Sequence, residues 1–276
     1  MSTLVAPAIA AREVARRGSL AQHSSYLATR SLRALWRQPA FAVATLVQPM
    51  IWLLLFGQLF RSVVEIPGFT TASGGYLEFL TPGVIVMTAL FSSGWAGTVY
   101  IEDMDRGVMD RFLASPVRRG ALMAGTLAYQ AATTVVQTLV VLGVAFGVGA
   151  RFAGGLAGVL VTLAAACLIC VAVASLSNAL ALLLRQQQAL IGISMFVVLP
   201  LQFVSSALMD TRVAPAWVAT AARYNPVDWA VVASREALSG APDWSVVAGR
   251  LGLLAALALV MAWLATRAFR TYQRSL

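Results

Sequence analysis

The sequence predicts an all-α integral membrane protein with six transmembrane helices. Apolar residues make up 59% of the 276 residues, charged residues only 11%, and mean hydropathy is +0.80. This composition is typical of a membrane domain and not of a soluble one. The apolar residues form long runs, each near or above the ~20 residues that a helix needs to cross ~30 Å of hydrocarbon. The charged residues gather mainly between these runs.

The N-terminal region precedes the first apolar run. Residues 1–18 are expected to be a disordered tail, and arginines follow their short apolar opening too early for a signal peptide. Residues 19–38 predict an amphipathic helix lying in the membrane interface, because three arginines share one stripe opposite apolar residues. These residues are Arg30, Arg33 and Arg37 against Ala28, Leu32 and Leu35. An ordinary basic stretch beside the membrane is the alternative.

The six apolar runs belong to one transmembrane domain that covers residues 19–276. The predicted spans are about 41–60, 79–101, 121–149, 156–184, 189–209 and 246–268. Two glycine pairs, Gly143 with Gly147 and Gly154 with Gly158, have the spacing that permits close backbone contact. Cys167 and Cys170 have no acidic or histidine neighbour, which favours packing over a redox or metal site.

The basic charge of the chain predicts contact with lipid headgroups. All 20 basic residues are arginine and the net charge is +9. Nucleic acid is the other usual partner of such a chain, but the arginines flank apolar runs and no nucleic-acid-binding module is visible. With six spans both termini share one side, which holds 14 of the arginines. The positive-inside rule therefore predicts that both termini are cytoplasmic.

The densest charge cluster lies between the second and third runs, from Glu102 to Arg119. Glu102 and Arg106 are four residues apart, which is the spacing of an ion pair on a helix. Val108, Met109, Phe112 and Leu113 fall on neighbouring helical positions, so the pattern predicts a short cytoplasmic helix with one apolar face. A solvated connector is the alternative, but a connector needs no such face. We therefore expect a docking element.

The stretch between the fifth and sixth runs predicts two short external helices within residues 214–238. Asn225 has the place of an N-cap, Pro226 the first helical position and Asp228 the first turn. Trp217 and Trp229 are aromatic residues of the kind that settle at the headgroup level. A pair of re-entrant half-helices in the outer leaflet is therefore favoured over a free loop.

Together these motifs resemble the permease subunits of type 2 ATP-binding-cassette (ABC) exporters, in the group of the daunorubicin and doxorubicin resistance permeases. The resemblance covers about residues 20–270. Three stretches carry it: Gln48-Pro49 to Phe56-Gly57, then Glu102 to Arg119 with Gly107 and Ser115-Pro116, and finally Leu199 to Ala207 leading through Pro215 and Trp217 to Tyr224-Asn-Pro-Val-Asp-Trp229 and Arg235.

The resemblance implies a partner for the charged segment. Asp103 to Leu113 would be a coupling helix, with Val108, Met109 and Phe112 filling a groove on a separate ABC ATPase subunit. The coupling segment would also include Glu102, Arg106 and Gly107. Two ATPase copies would bind ATP and Mg, and a second copy of this chain or a related permease would complete the complex in a bacterial cell membrane.

The chain itself is expected to be no enzyme and to carry no cofactor. A phosphate-binding P-loop requires a lysine, and the sequence contains none. The resemblance implies export and leaves the cargo open among drugs, lipids, glycolipids and lipid-linked polysaccharides. The apolar spans favour a hydrophobic drug, lipid or lipid-linked molecule. Gln48, Gln58 and Gln202 are polar residues within spans, so they either line its path or bond neighbouring helices.

Two other functions stay open at this point. One is an ATP-independent channel or carrier, and the other is a membrane scaffold that transports nothing. The spans hold no deeply placed acid, which counts against a proton- or sodium-coupled carrier.

Overall fold

The computed structural model describes residues 46–59, 75–108, 119–208 and 215–274. Every regular element within these ranges is helical, which confirms the predicted all-α class. The helices are α1 (Leu46–Leu59, with a π-helical turn at Trp52–Phe56), α2 (Tyr76–Gly94), α3 (Thr98–Asp105), α4 (Arg119–Gly147), α5 (Gly155–Leu184), α6 (Gln187–Phe203), α7 (Ala216–Arg223), α8 (Pro226–Leu238) and α9 (Trp244–Arg274).

Four segments of the described chain are long and apolar enough to cross a membrane. They are Tyr76–Asp105, Met123–Gly147, Gly155–Leu184 and Trp244–Phe269, each at a predicted span. The helices α1 and α6 also coincide with predicted spans, but they have fewer than 18 residues in the described ranges. The chain is therefore a multi-pass membrane protein, and the count of six spans stays a prediction. The tail at 1–18 and the interface helix at 19–38 lie outside the described residues.

Helix α5 is the centre of the bundle. It packs against α2, α3, α4, α6, α8 and α9. Its buried positions are mainly small residues, which let the backbones of neighbouring helices approach closely. Such close packing matters in a membrane, because no hydrophobic force drives helices together in lipid. The small buried residues include Gly158, Ala165, Ala166, Cys170, Ala174, Ser175 and Ser177. Cys170 is buried and Cys167 half-buried, both as free thiols, and the Cys167 sulfur lies 3.9 Å from the carbonyl oxygen of Ala131 on α4.

One of the two predicted glycine pairs forms a close contact. The Gly154 N–H donates to the carbonyl oxygen of Leu238 at 3.1 Å, and a methyl group placed on Gly158 would stand 2.5 Å from the carbonyl oxygen of Ala237. Glycine therefore lets α5 pack directly on the end of α8. The prediction for Gly143 and Gly147 is wrong for the described residues, where the space around both positions is open.

Large apolar side chains cover much of the outside of the bundle. Leu156 on α5 is 75% exposed, Phe196 on α6 80% and Leu259 on α9 72%. A soluble monomer rarely exposes contiguous apolar surface on this scale. On membrane-spanning helices, such side chains form the surface that meets lipid or another subunit.

We expect Gly158→Ala to destabilise the bundle. The added methyl group would overlap the Ala237 carbonyl, which is backbone and cannot rotate away, so α5 and α8 have to separate. Overpacking of this kind costs about 1–3 kcal/mol of unfolding free energy. Thermal unfolding of the purified protein in detergent, followed by circular dichroism, measures the loss.

The matched control is Gly143→Ala on α4, where no heavy atom lies within 4 Å of the added methyl group. Alanine is the better helix former, so this variant should be unchanged or slightly more stable. Equal losses in both variants would contradict the proposed contact between α5 and α8.

Candidate functional site

The predicted coupling segment begins at the end of α3, at what we call the inner end of the bundle. Glu102 and Arg106 form the predicted ion pair at 3.5 Å, and their side chains are 47% and 72% exposed. Such an exposed pair contributes little to stability. Asp103 and Val108 are partly exposed. The end of α3 therefore presents charged groups to the outside of the bundle.

The prediction of one continuous helix from Asp103 to Leu113 is wrong at its start. Asp103 to Asp105 are the last turn of α3, and Gly107 has a φ angle of 65°. This left-handed conformation ends a helix, and glycine adopts it without the steric penalty of a Cβ atom. The helix that begins at Thr98 therefore ends before Gly107. Met109, Phe112 and Leu113 lie outside the described residues, so the apolar face stays a prediction.

The base of this segment is fixed in the bundle. Tyr100 and Ile101 on α3 are 3% and 2% exposed and pack in a hydrophobic cluster with residues of α4, α5, α6 and α9. The cluster, called the inner cluster below, comprises Tyr100, Ile101, Met123, Ala181, Leu182, Leu190, Ala265 and Phe269. The Tyr100 hydroxyl also lies 2.9 Å from the Thr126 hydroxyl. A force on the charged end of α3 would thus act on a cluster to which four other helices contribute.

The opposite end of the bundle, called the outer end, is organised around Asn225. Its side-chain oxygen accepts from the Val227 N–H at 2.9 Å, which confirms the predicted N-cap of α8, with Pro226 at the first helical position. Its amide nitrogen donates to the carbonyl oxygens of Leu201 and Val204, at 2.6 and 2.8 Å. Carbonyl groups at the C-terminus of a helix have no partner within that helix. Asn225 therefore joins the end of α6 to the start of α8.

Two charged side chains of α8 extend this junction. Asp228, which is 5% exposed, accepts from the Ser206 N–H at 2.9 Å. Arg235 donates to the carbonyl oxygens of Phe79 and Ser206, at 3.1 and 3.0 Å, and its guanidinium carbon lies 3.7 Å from the centre of the Phe79 ring. These contacts tie α8 to the start of α2 as well as to the end of α6.

Acidic side chains also satisfy backbone groups at this end. Glu78 in the first turn of α2 accepts from the Arg151 N–H at 3.0 Å. Asp243, which precedes α9, accepts from the Ser245 hydroxyl at 2.7 Å and the Ser245 N–H at 2.9 Å. These bonds, the hydroxyl above all, stabilise the charged carboxylate and hold the pKa of Asp243 below its usual value.

The aromatic residues predicted to face the headgroups differ in exposure. Trp217 on α7 is 68% exposed, and Tyr224, an aromatic residue directly after α7, is 79% exposed. Trp229 on α8 is half-buried, and its indole N–H donates to the carbonyl oxygen of Arg223 at 2.6 Å, which links α8 back to α7. Both predicted short helices are therefore present, while their insertion in the outer leaflet stays a prediction.

The three glutamines predicted to line a substrate path lie in different environments. Gln48 and Gln58 are exposed on α1. Gln202 on α6 is 4% exposed, and its side-chain oxygen has no hydrogen-bond partner among the described residues. A buried oxygen without a partner is costly in a membrane protein. Of the three glutamines, only Gln202 therefore has a buried polar atom without a hydrogen-bond partner among the described residues.

Sequence reasoning missed a set of buried serines near the inner end. The Ser177 and Ser194 hydroxyls bond to the chain between α2 and α3. The sequence signalled the break that these serines bond, since residues 92–97 read Ser-Ser-Gly-Trp-Ala-Gly within an apolar span, but it did not signal the serines themselves. Glycine so placed often marks a break or a close backbone contact.

We expect Asn225→Ala to weaken the outer end. The change removes the α8 cap and leaves the carbonyl groups of Leu201 in α6 and of Val204 directly after it without their donor, at a cost of about 2–4 kcal/mol of unfolding free energy. Chemical unfolding in mixed detergent measures it. Thr220→Ala is the control, because the Thr220 hydroxyl bonds within α7 at an exposed position, and its removal should change stability by less than about 0.5 kcal/mol. A loss no larger than that of the control would show that Asn225 does not hold the junction.

Comparison with known proteins agrees with this architecture. The family model described as ABC-2 type transporter matches residues 23–238. The daunorubicin resistance ABC transporter permease protein DrrB1 of Streptomyces coeruleorubidus is 29% identical over 241 residues, which cover 87% of this chain and 83% of that protein. A putative transport permease, ycf38, of Pyropia yezoensis is 28% identical, over 79% and 74% of the two chains.

A third relative has a similar description. The probable doxorubicin resistance ABC transporter permease protein DrrC of Mycobacterium tuberculosis is 24% identical, over 86% of this chain and 84% of that protein. All three relatives are described as permeases. The family model matches more than half of the length of this chain. The chain therefore belongs to the ABC-2 type transporter family and is a membrane subunit of an ABC transporter.

Proposed function

We propose that this chain is the permease subunit of an ATP-driven exporter, which moves a hydrophobic drug, lipid or lipid-linked molecule out of the cytoplasm or inner leaflet. The observation that carries the proposal is the construction of α3. Its far end exposes the Glu102–Arg106 pair, while its base at Tyr100 and Ile101 is buried in a cluster to which four other helices contribute. A segment built in this way transmits force from a docked partner to the membrane-spanning helices.

The partner is a separate ABC ATPase, present in two copies that bind ATP and Mg. This chain has no lysine for a P-loop, so the energy must enter through contact. The ATPase docks on the segment that starts at Glu102 and continues beyond Gly107, with Met109 and Phe112 on its apolar face. Closure of the ATPase dimer then selects one of two arrangements of the spans.

Six spans, cytoplasmic termini and an interface helix at 19–38 complete the proposed topology in a bacterial cell membrane. Two permease chains, identical or related, form the membrane part. The exposed apolar side chains on α1, α6 and α9 provide the surface for the second chain and for lipid.

The proposed cargo class rests on the relatives and on the outer end. Two of the similar proteins are described by resistance to daunorubicin or doxorubicin. Cargo leaves past α7 and α8, where Trp217 and Tyr224 are exposed at the proposed headgroup level. The cargo path is lined by Gln202 on the inside of the bundle and by Gln48 and Gln58 on α1.

The first test is co-purification in mild detergent with candidate ATPase subunits expressed alongside. We expect an ATPase at a one-to-one ratio. Reconstituted vesicles then distinguish the alternatives, with daunorubicin as the probe. Uptake by vesicles that contain this chain alone, without ATP or ATPase, would establish a channel or carrier and overturn the proposal.

We expect Met109→Asp combined with Phe112→Asp to release the ATPase. Two carboxylates on the proposed apolar face would have to be buried without partners in the ATPase groove, which is strongly unfavourable. Co-purification measures the bound ATPase, and we expect at least a tenfold loss. Circular dichroism and gel filtration verify that the variant is folded.

Tyr224→Asp is the control, since it places the same acid at the outer end on a side chain that is 79% exposed. This variant should keep its ATPase. Full retention of the ATPase by the folded double variant would place the docking face elsewhere.

A further inference from the structure

The second membrane-spanning segment is broken at residues 95–97, between α2 and α3. In a continuous α-helix each N–H bonds to the carbonyl four residues earlier. Here the Thr98 N–H bonds to the carbonyl of Trp95, three residues earlier, at 3.0 Å. The carbonyl group of Gly94, which would have received that N–H, therefore needs another donor.

One side chain on α5 serves both sides of this break. The Ser177 hydroxyl donates to the Gly94 carbonyl oxygen at 2.7 Å and accepts from the Gly97 N–H at 3.0 Å. The Ser194 hydroxyl on α6 also donates to the Gly94 carbonyl, at 3.0 Å. Ser177 is 2% exposed, so water does not replace it. A broken helix is tolerated at membrane depth when neighbouring side chains bond its freed backbone groups.

The break also lies directly on the backbone of α5. A methyl group placed on Gly97 would overlap the carbonyl group of Ser177 and stand 2.9 Å from the Ala181 side chain. Only glycine permits this approach. The centre of the break is thus held at one point on α5 by both packing and hydrogen bonds.

The helices on either side of the break belong to different hydrophobic clusters. Leu80, Val84 and Leu90 on α2 pack in a large cluster with residues of α1, α4, α5, α6, α8 and α9. Tyr100 and Ile101 on α3 pack in the inner cluster. Among the described residues, no apolar residue is a buried member of both clusters, so α2 and α3 are anchored in separate parts of the core.

We infer that residues 95–97 are the joint through which movement of the coupling segment reaches the membrane spans, with Ser177 as the positioning residue that holds the joint. This inference rests on the proposed function. Helix α3 has eight residues and is therefore ~12 Å long, so a bend of ~20° at the joint moves its far end by ~4 Å. A hydroxyl donates and accepts at once, so Ser177 keeps Gly94 and Gly97 bonded as the angle changes.

Ser177→Ala tests the positioning role without any ATPase. The variant removes the hydroxyl that accepts from the Gly97 N–H, so the Gly97 amide, read in the peptide covering residues 93–100, should exchange its hydrogen at least tenfold faster in detergent. Ser175→Ala is the matched control, because Ser175 is a buried serine on the same helix whose hydroxyl has no partner among the described residues. Ser177→Thr keeps a hydroxyl and should restore slow exchange. Equal exchange in Ser177→Ala and Ser175→Ala would overturn the role of Ser177.

The movement is tested in the complex with its ATPase. Spin labels on Asp105→Cys and Leu183→Cys, in a chain with Cys167→Ala and Cys170→Ala, report the position of α3 against α5. Leu183 is 61% exposed, and Asp105 is exposed at the end of α3. Excess unlabelled chain restricts the signal to distances within one protomer. A non-hydrolysable ATP analogue should shift this distance by ~4 Å, and Ser177→Ala should lose at least half of the shift while Ser175→Ala keeps it.

A reference pair on Leu183 and Leu264 reports α5 against α9 and should stay constant. An unchanged Asp105–Leu183 distance in a complex that binds the analogue would show that α3 and α5 move as one body, and the joint would be refuted. If the unlabelled, unsubstituted chain binds no ATPase, the proposed function fails, and the exchange measurement still decides whether Ser177 holds the break.

Discussion

The need to bond every backbone polar group inside a membrane governs this structure. A helix bonds its own N–H and carbonyl groups, but each break or helix end frees some of them, and lipid offers no replacement. The chain meets this need at two places with side chains from other helices. Ser177 and Ser194 bond the break between α2 and α3, and Asn225 and Arg235 bond the carbonyls where α6 ends. The irregular segments are therefore fixed by tertiary contacts.

These contacts are possible because α5 is narrow. Six other helices contact α5, because its buried positions are mainly alanine, glycine, serine and cysteine. At Gly158 and Gly97 the two backbones are in direct contact. In the absence of a hydrophobic force between helices in lipid, such close packing and the hydrogen bonds that it permits supply much of the association energy. The same helix thus supports the outer junction with α8 and the inner break of the second span.

The two ends of the bundle fit the proposed transporter, in which an ATPase acts on the inner end. At the inner end, α3 carries exposed charge on a buried base. At the outer end, α8 is held to α2 and α6 by bonds from Asn225, Asp228 and Arg235. Movement applied at the inner end would therefore reach the outer end through α2, α5 and α6. This arrangement agrees with the membership of the chain in the ABC-2 type transporter family.

The sequence by itself determined the membrane class, the places of the apolar helices and the cap at Asn225. These features depend on composition and on neighbours within a few residues, so local patterns reveal them. The sequence also predicted the Glu102–Arg106 pair, because four residues separate its members. It did not reveal that α3 ends before Gly107, nor that Gly143 packs against nothing in the described chain while Gly158 meets α8. It likewise gave no sign that Ser177 bonds a break 80 residues away in the chain. Only the tertiary structure decided the end of α3, the surroundings of the two glycines and the bond from Ser177. Glycine and serine occur equally well on a lipid-facing surface, and the packing of the whole bundle decides which helix lies beside them.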